Sequence, residues 1–564
     1  MSKSLSLTGK QWISRGEGNS SQTLLQNFLT IRGIPAEDLK NVSFSDLLDP
    51  FLFRDMRRAV DVVEETIAQK KRILIFGDYD LDGMSGAAQL FLTLKLLGAE
   101  VSFRLPARED GYGLSLPFVE EAIANRVSLF ITTDCGISNA LEMSRFTESG
   151  GKVIITDHHT IPENIPEASA ILHPLLFGET FPDPHLTGAG VAYFFCSALL
   201  QNRFGKKDAQ KMEEELLELA VLGTIADCGK LHGENRKIVL LGLHALSKTR
   251  NEGLKKLFEL SGTDPDLVTA ETIAFFIAPR LNASGRLAHP RLSLELLLGN
   301  GGRAEELGRL NTERQKMVEG FMADIVLGLP ADFLEVCLVQ KSPQWPSGII
   351  GLLSGQLAER YHIPVVMMEE RADKLVGSCR GPEDFHFGDF FRIAKEEYPN
   401  LFMSAGGHGQ AAGCSMKPES FEQFCAVLRE AVRTKRGDVP PCPRTFFDGV
   451  VSRRISVKEI SELKKGEPYG VGNPPPVFCF ARLLLKNIRT VGARKTHLSF
   501  FFSSPYGENI SGIFFQQGAL ADVFVTGKQY DILATPEVKM WQGEEQLSFK
   551  MVDIRESEEM KKKN

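Results

Sequence analysis

The sequence holds no apolar run of about 18 residues, so no segment reads as a membrane-spanning helix. Its opening, MSKSLSLTGKQWISRGEG, lacks the apolar stretch of a secretory signal. Cysteine is sparse, nine in 564 residues, and no two stand as C-x-x-C. That excludes a thiolate zinc site of the usual spacing and fits a reduced, cytoplasmic setting. Each Gly-Lys pair is followed by something other than Ser or Thr, so the phosphate loop of a P-loop motor is missing. A basic excess is missing too: 65 Lys and Arg stand against 72 Asp and Glu, a net charge of −7. This excludes a protein that wraps nucleic acid by bulk charge, though not a local basic groove.

What remains is a globular composition, 43% hydrophobic and 24% charged. The length suits about three or four domains. KRILIFGDYD is a β-branched apolar run that stops at carboxylates, and SGAAQLFLTLKLLGAE after it has helical spacing closed by Gly98. VSLFITTD and GKVIITDHH are two further runs of the first kind. Buried runs separated by helices predict a parallel, doubly wound sheet. KKDAQKMEEELLELAVLGTIAD is a helix that ends at Asp227. A charged helical stretch then leads to FLEVCLVQ, which opens a second α/β unit, and KRGDVPPCPR reads as a linker. Alternating strands such as QLSFKMVDI predict a small antiparallel barrel at the end. The expected boundaries are an N-terminal helical segment over 1–55, a first α/β domain over 56–290 and a connecting helix over 291–328. A second α/β domain over 329–437, a barrel over 438–557 and a tail over 558–564 complete the chain.

Asp78, Asp80 and Asp82 follow the first strand, Asp134 ends the second, and Asp157, His158 and His159 end the third. In an open parallel sheet, ligands sit outside the carboxyl ends of the strands, so these groups share one rim. So many carboxylates stay ionised together only when cations neutralise them. Oxygen and imidazole donors suit manganese or magnesium, and the imidazoles tilt the choice to manganese. Two such ions about 3.5–4 Å apart would clamp a phosphoryl group and activate a water. DYDLDG also looks like the start of a calcium loop, but the bidentate Glu such a loop needs would fall at Gln89, and a strand precedes the motif.

GDYDLDG, ITTDCGIS, VIITDHH and LGTIAD closely resemble the four metal motifs of the DHH phosphoesterase superfamily. Within it the chain is similar, from about Leu24 to Ile554, to the bacterial single-strand-specific 5′→3′ DNA exonucleases. PAREDGYGL, APRLNASGRL, LNTERQ, GIIGLLSGQLAERYHIPVV, GSCRG, GGHGQAAG and PYGVGNPPPVF carry that likeness, in order. The resemblance implies two α/β lobes, DHH and DHH-associated, joined by a long helix, with a C-terminal OB-like β-barrel. It implies that Asp80, Asp82, Asp134, His158 and Asp227 ligate two Mn2+ or Mg2+ ions. Asp78 would ligate or sit just behind them, Asp157 would ligate or orient an imidazole, and His159 would face the phosphate. Phe76 stands where some relatives carry a His. Arg108, Arg280, Ser378 and Arg380 are the implied anchors of a 5′ phosphate, which the guanidinium fork binds well. His408, in GGHGQAAG, would contact the substrate strand.

The barrel adds a feature visible without any family. From Pro468 to Gly507 there is no Asp or Glu, while Arg482, Lys486, Arg489, Arg494 and Lys495 are interleaved with Phe478, Phe480 and Phe500. Basic groups beside rings on a small barrel fit single-strand binding, with Arg489, Arg494 and Lys495 as contacts and most of those rings in the core. The expected function is thus a metal-dependent exonuclease on single-stranded DNA that releases 5′-mononucleotides. By resemblance alone, it would act as a cytoplasmic monomer in recombination and repair, beside a helicase and a single-strand-binding protein. The rivals are a DHH-type phosphodiesterase for short oligonucleotides or cyclic dinucleotides, which generally lacks the barrel, and an inactive replication scaffold, which would not need the Asp and His cluster.

Overall fold

The computed structural model describes residues 5–557 except 20, 36–38, 40, 111, 112, 331, 332, 334, 408, 439–441, 493, 494, 542 and 543. The chain divides into two units, 42–440 with 470–473, and 1–41 with 441–469 and 474–564.

The larger unit begins with a five-stranded parallel sheet in the order Glu100–Arg104, Arg72–Gly77, Val127–Thr133, Lys152–Thr156, Ala170–Leu172. Its central strands are unbroken apolar runs because both of their faces are covered. Ile73, Ile75, Leu129, Ile131 and Ile154 share a core with the helices Met56–Ala68, Leu81–Leu96 and Gly188–Phe204. Phe76, Phe130, Val153 and Ile155 face the other way, onto the helices Leu116–Ala124 and Ala140–Glu148. Phe76 is fully buried there against Phe118 and Phe130, so this position packs rather than ligates. The helix Lys206–Ala226 then carries the chain back to the carboxyl end of the sheet and is capped by Asp227.

The 25-residue helix Ala304–Gly328 links this lobe to the next. Leu307 and Leu310 near its start belong to the first core, and Val318 and Ile325 near its end to the second. The second lobe has a mixed sheet in the order Ser404–Gly407, Ala411–Met416, Leu375–Arg380, Val365–Glu370, Leu338–Ser342, parallel only at the last pair. Strand alternation gives its faces separate partners. Val365 and Met367 pack on the helix Ser347–Tyr361, whereas Val366, Met368 and Cys379 pack on the helices Phe387–Glu397 and Phe421–Arg436.

In the smaller unit, Phe478–Val491 pairs with His497–Ser503 along one edge and with Gln529–Trp541 along the other, and Asn509–Phe514 and Glu544–Glu556 complete the curved sheet. The fold class is therefore as expected, two α/β lobes, a long joining helix and an OB-like β unit. The first residues differ from a helical segment. Gln11–Ser14 is a strand in parallel register with Arg444–Phe447, and the helix Leu24–Arg32 buries Phe28 in the core of the β unit. The strand's partner is distant in the chain, at Arg444–Phe447, where no local pattern reaches it.

Asp448 ties these distant segments together. Its carboxylate is fully buried, accepts from Arg32 Nε at 2.8 Å and Nη2 at 2.6 Å, and also takes the Val477 N–H at 2.9 Å. Removing one partner of a buried pair leaves the other charge uncompensated. Asp448→Ala is expected to destabilise the smaller unit by about 3–5 kcal/mol. Calorimetry of the full chain would show it as a lowered transition for that unit; an unchanged profile would mean that the pair holds nothing together.

Candidate metal centre

Asp78 leaves the strand Arg72–Gly77, and Asp80, two residues on, caps the helix Leu81–Leu96 by accepting from the N–H groups of Asp82 and Gly83. Asp82 lies in the first turn of that helix and is buried. Its two oxygens accept from Gly188 N at 2.7 Å and Ala189 N at 2.9 Å, at the start of another helix. A helix N-terminus offers such free N–H groups and a positive dipole end to a carboxylate. Thr187-Gly188-Ala189 is a part of the site that the metal motifs do not contain. Its sequence signal is Thr187 as an N-cap, which accepts from Gly190 N ahead of a long apolar helix.

Asp134 follows the strand Val127–Thr133 in left-handed backbone, φ 61°. Such a conformation in a non-glycine residue is held by its surroundings and is common at functional sites. His158 Nε2 lies 3.1 Å from Asp134 Oδ1 and 3.8 Å from both Asp82 Oδ2 and Asp227 Oδ2. Asp157 points elsewhere. Its Oδ1 accepts from His158 N at 2.7 Å and His159 N at 3.1 Å and lies 2.8 Å from His159 Nδ1, while Oδ2 accepts from Ile137 N at 3.0 Å. Both of its oxygens are thereby occupied.

Three sets of donor atoms lie close enough to hold an ion, within 4.8 Å of one another: Asp78, Asp80 and Asp134; Asp82, His158 and Asp227; Asp134, His158 and His159. Burial and like charge strain these acids. Burial, then Asp80, pushes the Asp82 carboxyl up to about 7; burial, then Asp82, pushes Asp227 up to about 9. Asp78 and Asp134 are raised well above the carboxylate range, first by burial and then by their acidic neighbours. Asp157 goes the other way. Burial would raise it, but the hydrogen bond and charge of His159 outweigh burial and hold it at about 2. The same bond lifts His159 to about 9 against the opposing effect of burial. Asp78 Oδ1 is buried without a hydrogen-bond partner among the described residues. Crowded hard oxygens, one imidazole and an unsatisfied buried oxygen fit a hard divalent cation such as Mn2+ or Mg2+.

A cationic pocket adjoins this rim. Arg108 donates from Nε to Gly285 O at 3.0 Å and stacks over Tyr79 at 4.3 Å, inside the DYDLDG loop. Arg286 donates from Nη1 to Gly348 O at 3.1 Å. Burial, then Arg108 and Arg314, pulls the Arg286 guanidinium down to about 9, with Asp80 opposing and Arg380 adding to the pull. Arg380 Nη1 donates to Cys379 O at 2.8 Å and Ser378 Oγ at 3.3 Å. Like charges gathered in this way point to an anion. Arg286 and Arg314 are members that sequence reading passed over, although both lie inside or beside quoted motifs, APRLNASGRL and LNTERQ. Arg280 donates to the carbonyl of Phe276, one turn back along the chain. The segment also touches the metal loop directly, since Asn282 Oδ1 accepts from Leu81 N at 2.8 Å.

The remaining expected contacts lie elsewhere. His408 and Arg494 fall outside the described residues. Arg489 and Lys495 are exposed in the smaller unit, Lys495 in a left-handed turn at φ 54°. Phe478, Phe480 and Phe500 are core, but Phe501 is 42% exposed. Arg489 pairs with Ser499 and Asn487 with Phe501, so Arg489 and Phe501 are diagonal neighbours on one face.

Known proteins share these features. The family model for the DHH family, N-terminal domain, matches residues 72–224, that for the DHHA1 domain 335–434, and that for the RecJ OB domain 448–553. The single-stranded-DNA-specific exonuclease RecJ of Bacillus subtilis is 32% identical over 526 residues, covering 91% of this chain; the chain spans 65% of that relative's length. RecJ of Haemophilus influenzae is 31% identical over 521 residues, 89% of this chain and 90% of that relative. The crystal structure of RecJ in complex with Mn2+ from Thermus thermophilus superposes with a TM-score of 0.79 at 28% identity, covering 95% of this chain and 76% of that one. A complex of that RecJ with Mg2+ superposes at 0.74.

Because the acids repel one another without a cation, Mn2+ should raise the melting temperature of EDTA-treated protein; at a hundredfold excess over Kd, one site adds about 2.7 kcal/mol. Asp134→Asn should lose most of that gain. Equal gains in both proteins, read by thermal unfolding, would mean that Asp134 is not a ligand.

Proposed function

The chain belongs to the RecJ family of the DHH phosphoesterase superfamily, and on that premise we infer that it is a single-stranded-DNA-specific 5′→3′ exonuclease releasing 5′-mononucleotides. The observation that carries the reading is that the cationic pocket is built onto the metal loop. Arg108 stacks over Tyr79 inside that loop and bonds Gly285 O, Asn282 bonds Leu81 N, and Arg286 follows in the same segment, which supports a pocket at a set reach from the metal rim. An enzyme that cuts one nucleotide from an end needs that arrangement.

Bound Mn2+ or Mg2+ would polarise a phosphodiester and make a water acidic enough to attack it near neutral pH. Asp78, Asp80, Asp82, Asp134, His158 and Asp227 would hold the ions. Asp157 orients rather than ligates, because both of its oxygens are taken by N–H donors. Asp157, bonded to its Nδ1, orients the His159 ring and favours its charged form, so that it would offer a cation to the phosphate at the scissile bond. Arg108, Arg286, Ser378 and Arg380 bind the terminal phosphate, and the guanidinium forks supply bidentate contacts. Arg286 takes the place that motif reading gives to Arg280. The exposed Arg489, Lys495 and Phe501 of the smaller unit bind the strand by charge and stacking. The setting is recombination and repair in the cytoplasm, with a helicase and a single-strand-binding protein as partners of a monomeric enzyme. The OB-like unit favours this reading over a phosphodiesterase for very short substrates.

The test is a long single strand, labelled at its 5′ phosphate, incubated with the protein and Mn2+. Labelled mononucleotide is expected from the single strand and not from blunt duplex; no product, or equal product from both, refutes the reading. Asp134→Ala should lower turnover by more than roughly 100-fold, the most expected for a residue that only supports a ligand, with DNA binding retained. Arg286→Ala and Arg380→Ala should each reduce the preference for 5′-phosphorylated over 5′-hydroxyl ends by roughly tenfold or more, the worth of a charged hydrogen bond. Arg280→Ala should leave that preference in place; the opposite order would return Arg280 to the pocket.

A further inference from the structure

The second lobe carries a groove of about 930 Å3 between the helices Phe387–Glu397 and Phe421–Arg436, lined by none of the residues of the metal rim or the phosphate pocket. Its size lies within the range of sites that bury a ligand or a short peptide segment. Its floor is apolar, with Phe390, Val427 and Ala431 partly or fully buried and Ile393 left 44% exposed. Its rim is acidic. Glu383, Glu397 and Glu430 line it, all exposed and none with an ion-pair partner among the described residues. Two further acids, Asp384 and Asp389, are already engaged, by Arg436 at 3.0 Å and His386 at 3.5 Å, and the basic side chains lining the groove are Arg392 and Lys435.

The groove is on the far side of the sheet from the phosphate pocket. In the strand Leu375–Arg380, Cys379 points into the core shared with these two helices, so Ser378 and Arg380, its neighbours on either side, point to the opposite face. There a Cβ on Gly351, in the helix Ser347–Tyr361, would lie 3.2 Å from Ser378 Oγ. A strand of DNA in the phosphate pocket is thus separated from the groove by the sheet, and the groove's carboxylates would repel any phosphate that approached it.

We propose that this groove is a docking site for a protein partner, and that its occupant is a short amphipathic helix with apolar side chains on one face and Lys or Arg along its flanks. Charge complementarity selects this occupant. The apolar floor takes residues spaced i, i+3, i+4 and i+7. Glu383, Glu397 and Glu430 take the flanking cations and disfavour acidic segments. Because the groove and the pocket face away from each other, a docked partner leaves the nuclease free to turn over.

The probe is a fluorescein-labelled 16-residue peptide with Leu at those spacings and Lys or Arg at its flanks, titrated by anisotropy against the full chain. A control peptide has each Lys and Arg replaced by Glu. The expected result is saturable binding of the cationic peptide, weakened at least tenfold by Ile393→Asp and by the pair Glu397→Lys and Glu430→Lys. Both variants should keep wild-type release of mononucleotides, which shows that they are folded. Binding that is absent, equal in the variants, or as tight for the acidic peptide overturns the proposal. So does displacement of the peptide by a single-stranded oligonucleotide, which would make nucleic acid the occupant. A dimer in sedimentation that Ile393→Asp dissolves would also overturn it, since a second copy would then fill the groove.

Discussion

Carboxylates crowded at the carboxyl edge of one parallel sheet repel each other, and much of the larger unit is arranged to bear that repulsion. Burial in low dielectric makes it worse, since desolvation already disfavours the charged form. The protein offsets the cost locally in three ways. Asp82 takes two N–H groups from a helix start, Asp80 caps its own helix, and Asp157 is bonded to the His159 imidazole. The burial and like charge that still raise Asp78, Asp134 and Asp227 are what divalent cations would offset.

The same edge explains why one short segment, residues 278–287, matters so much. Asn282 bonds the backbone of the metal loop, Gly285 receives Arg108, and Arg286 reaches across to Gly348 in the second lobe. The fit leaves no room: a Cβ on Gly285 would lie 2.4 Å from the Tyr79 carbonyl oxygen, and one on Gly348 2.1 Å from that of Arg286. Backbone contacts this close make the spacing between metal rim and cationic pocket a property of the fold, less dependent on side-chain rotamers.

Much of this was legible in the sequence, for reasons that differ by feature. Asp78, Asp134 and Asp157 announce themselves because apolar strands end on them, and strand ends of a parallel sheet converge. Asp227 was legible because the helix before it is long and regular. Arg286 was passed over because several arginines sit in or near one motif and nothing local tells which of them turns inward; Arg280 bonds the Phe276 carbonyl instead. The strand Gln11–Ser14 was illegible for another reason. It pairs with Arg444–Phe447, and no short-range pattern encodes a partner so distant in the chain. Phe76 reads as a missing ligand in sequence and as core in space, against Phe118 and Phe130.

The net charge of −7 gains meaning once the acids are placed. Some of the excess stands on the rim, where metal would offset it, and some stands around a groove behind the second sheet, where it would repel the substrate's backbone. The cations that matter for a phosphate lie on the other face of that sheet, in Arg380, and beside the metal loop, in Arg108 and Arg286. Strand alternation is what permits this division, because adjacent residues of one strand face opposite ways. A chain acidic overall can therefore hold a phosphate tightly in one place and exclude it in another, and the sum of its charges reports on neither.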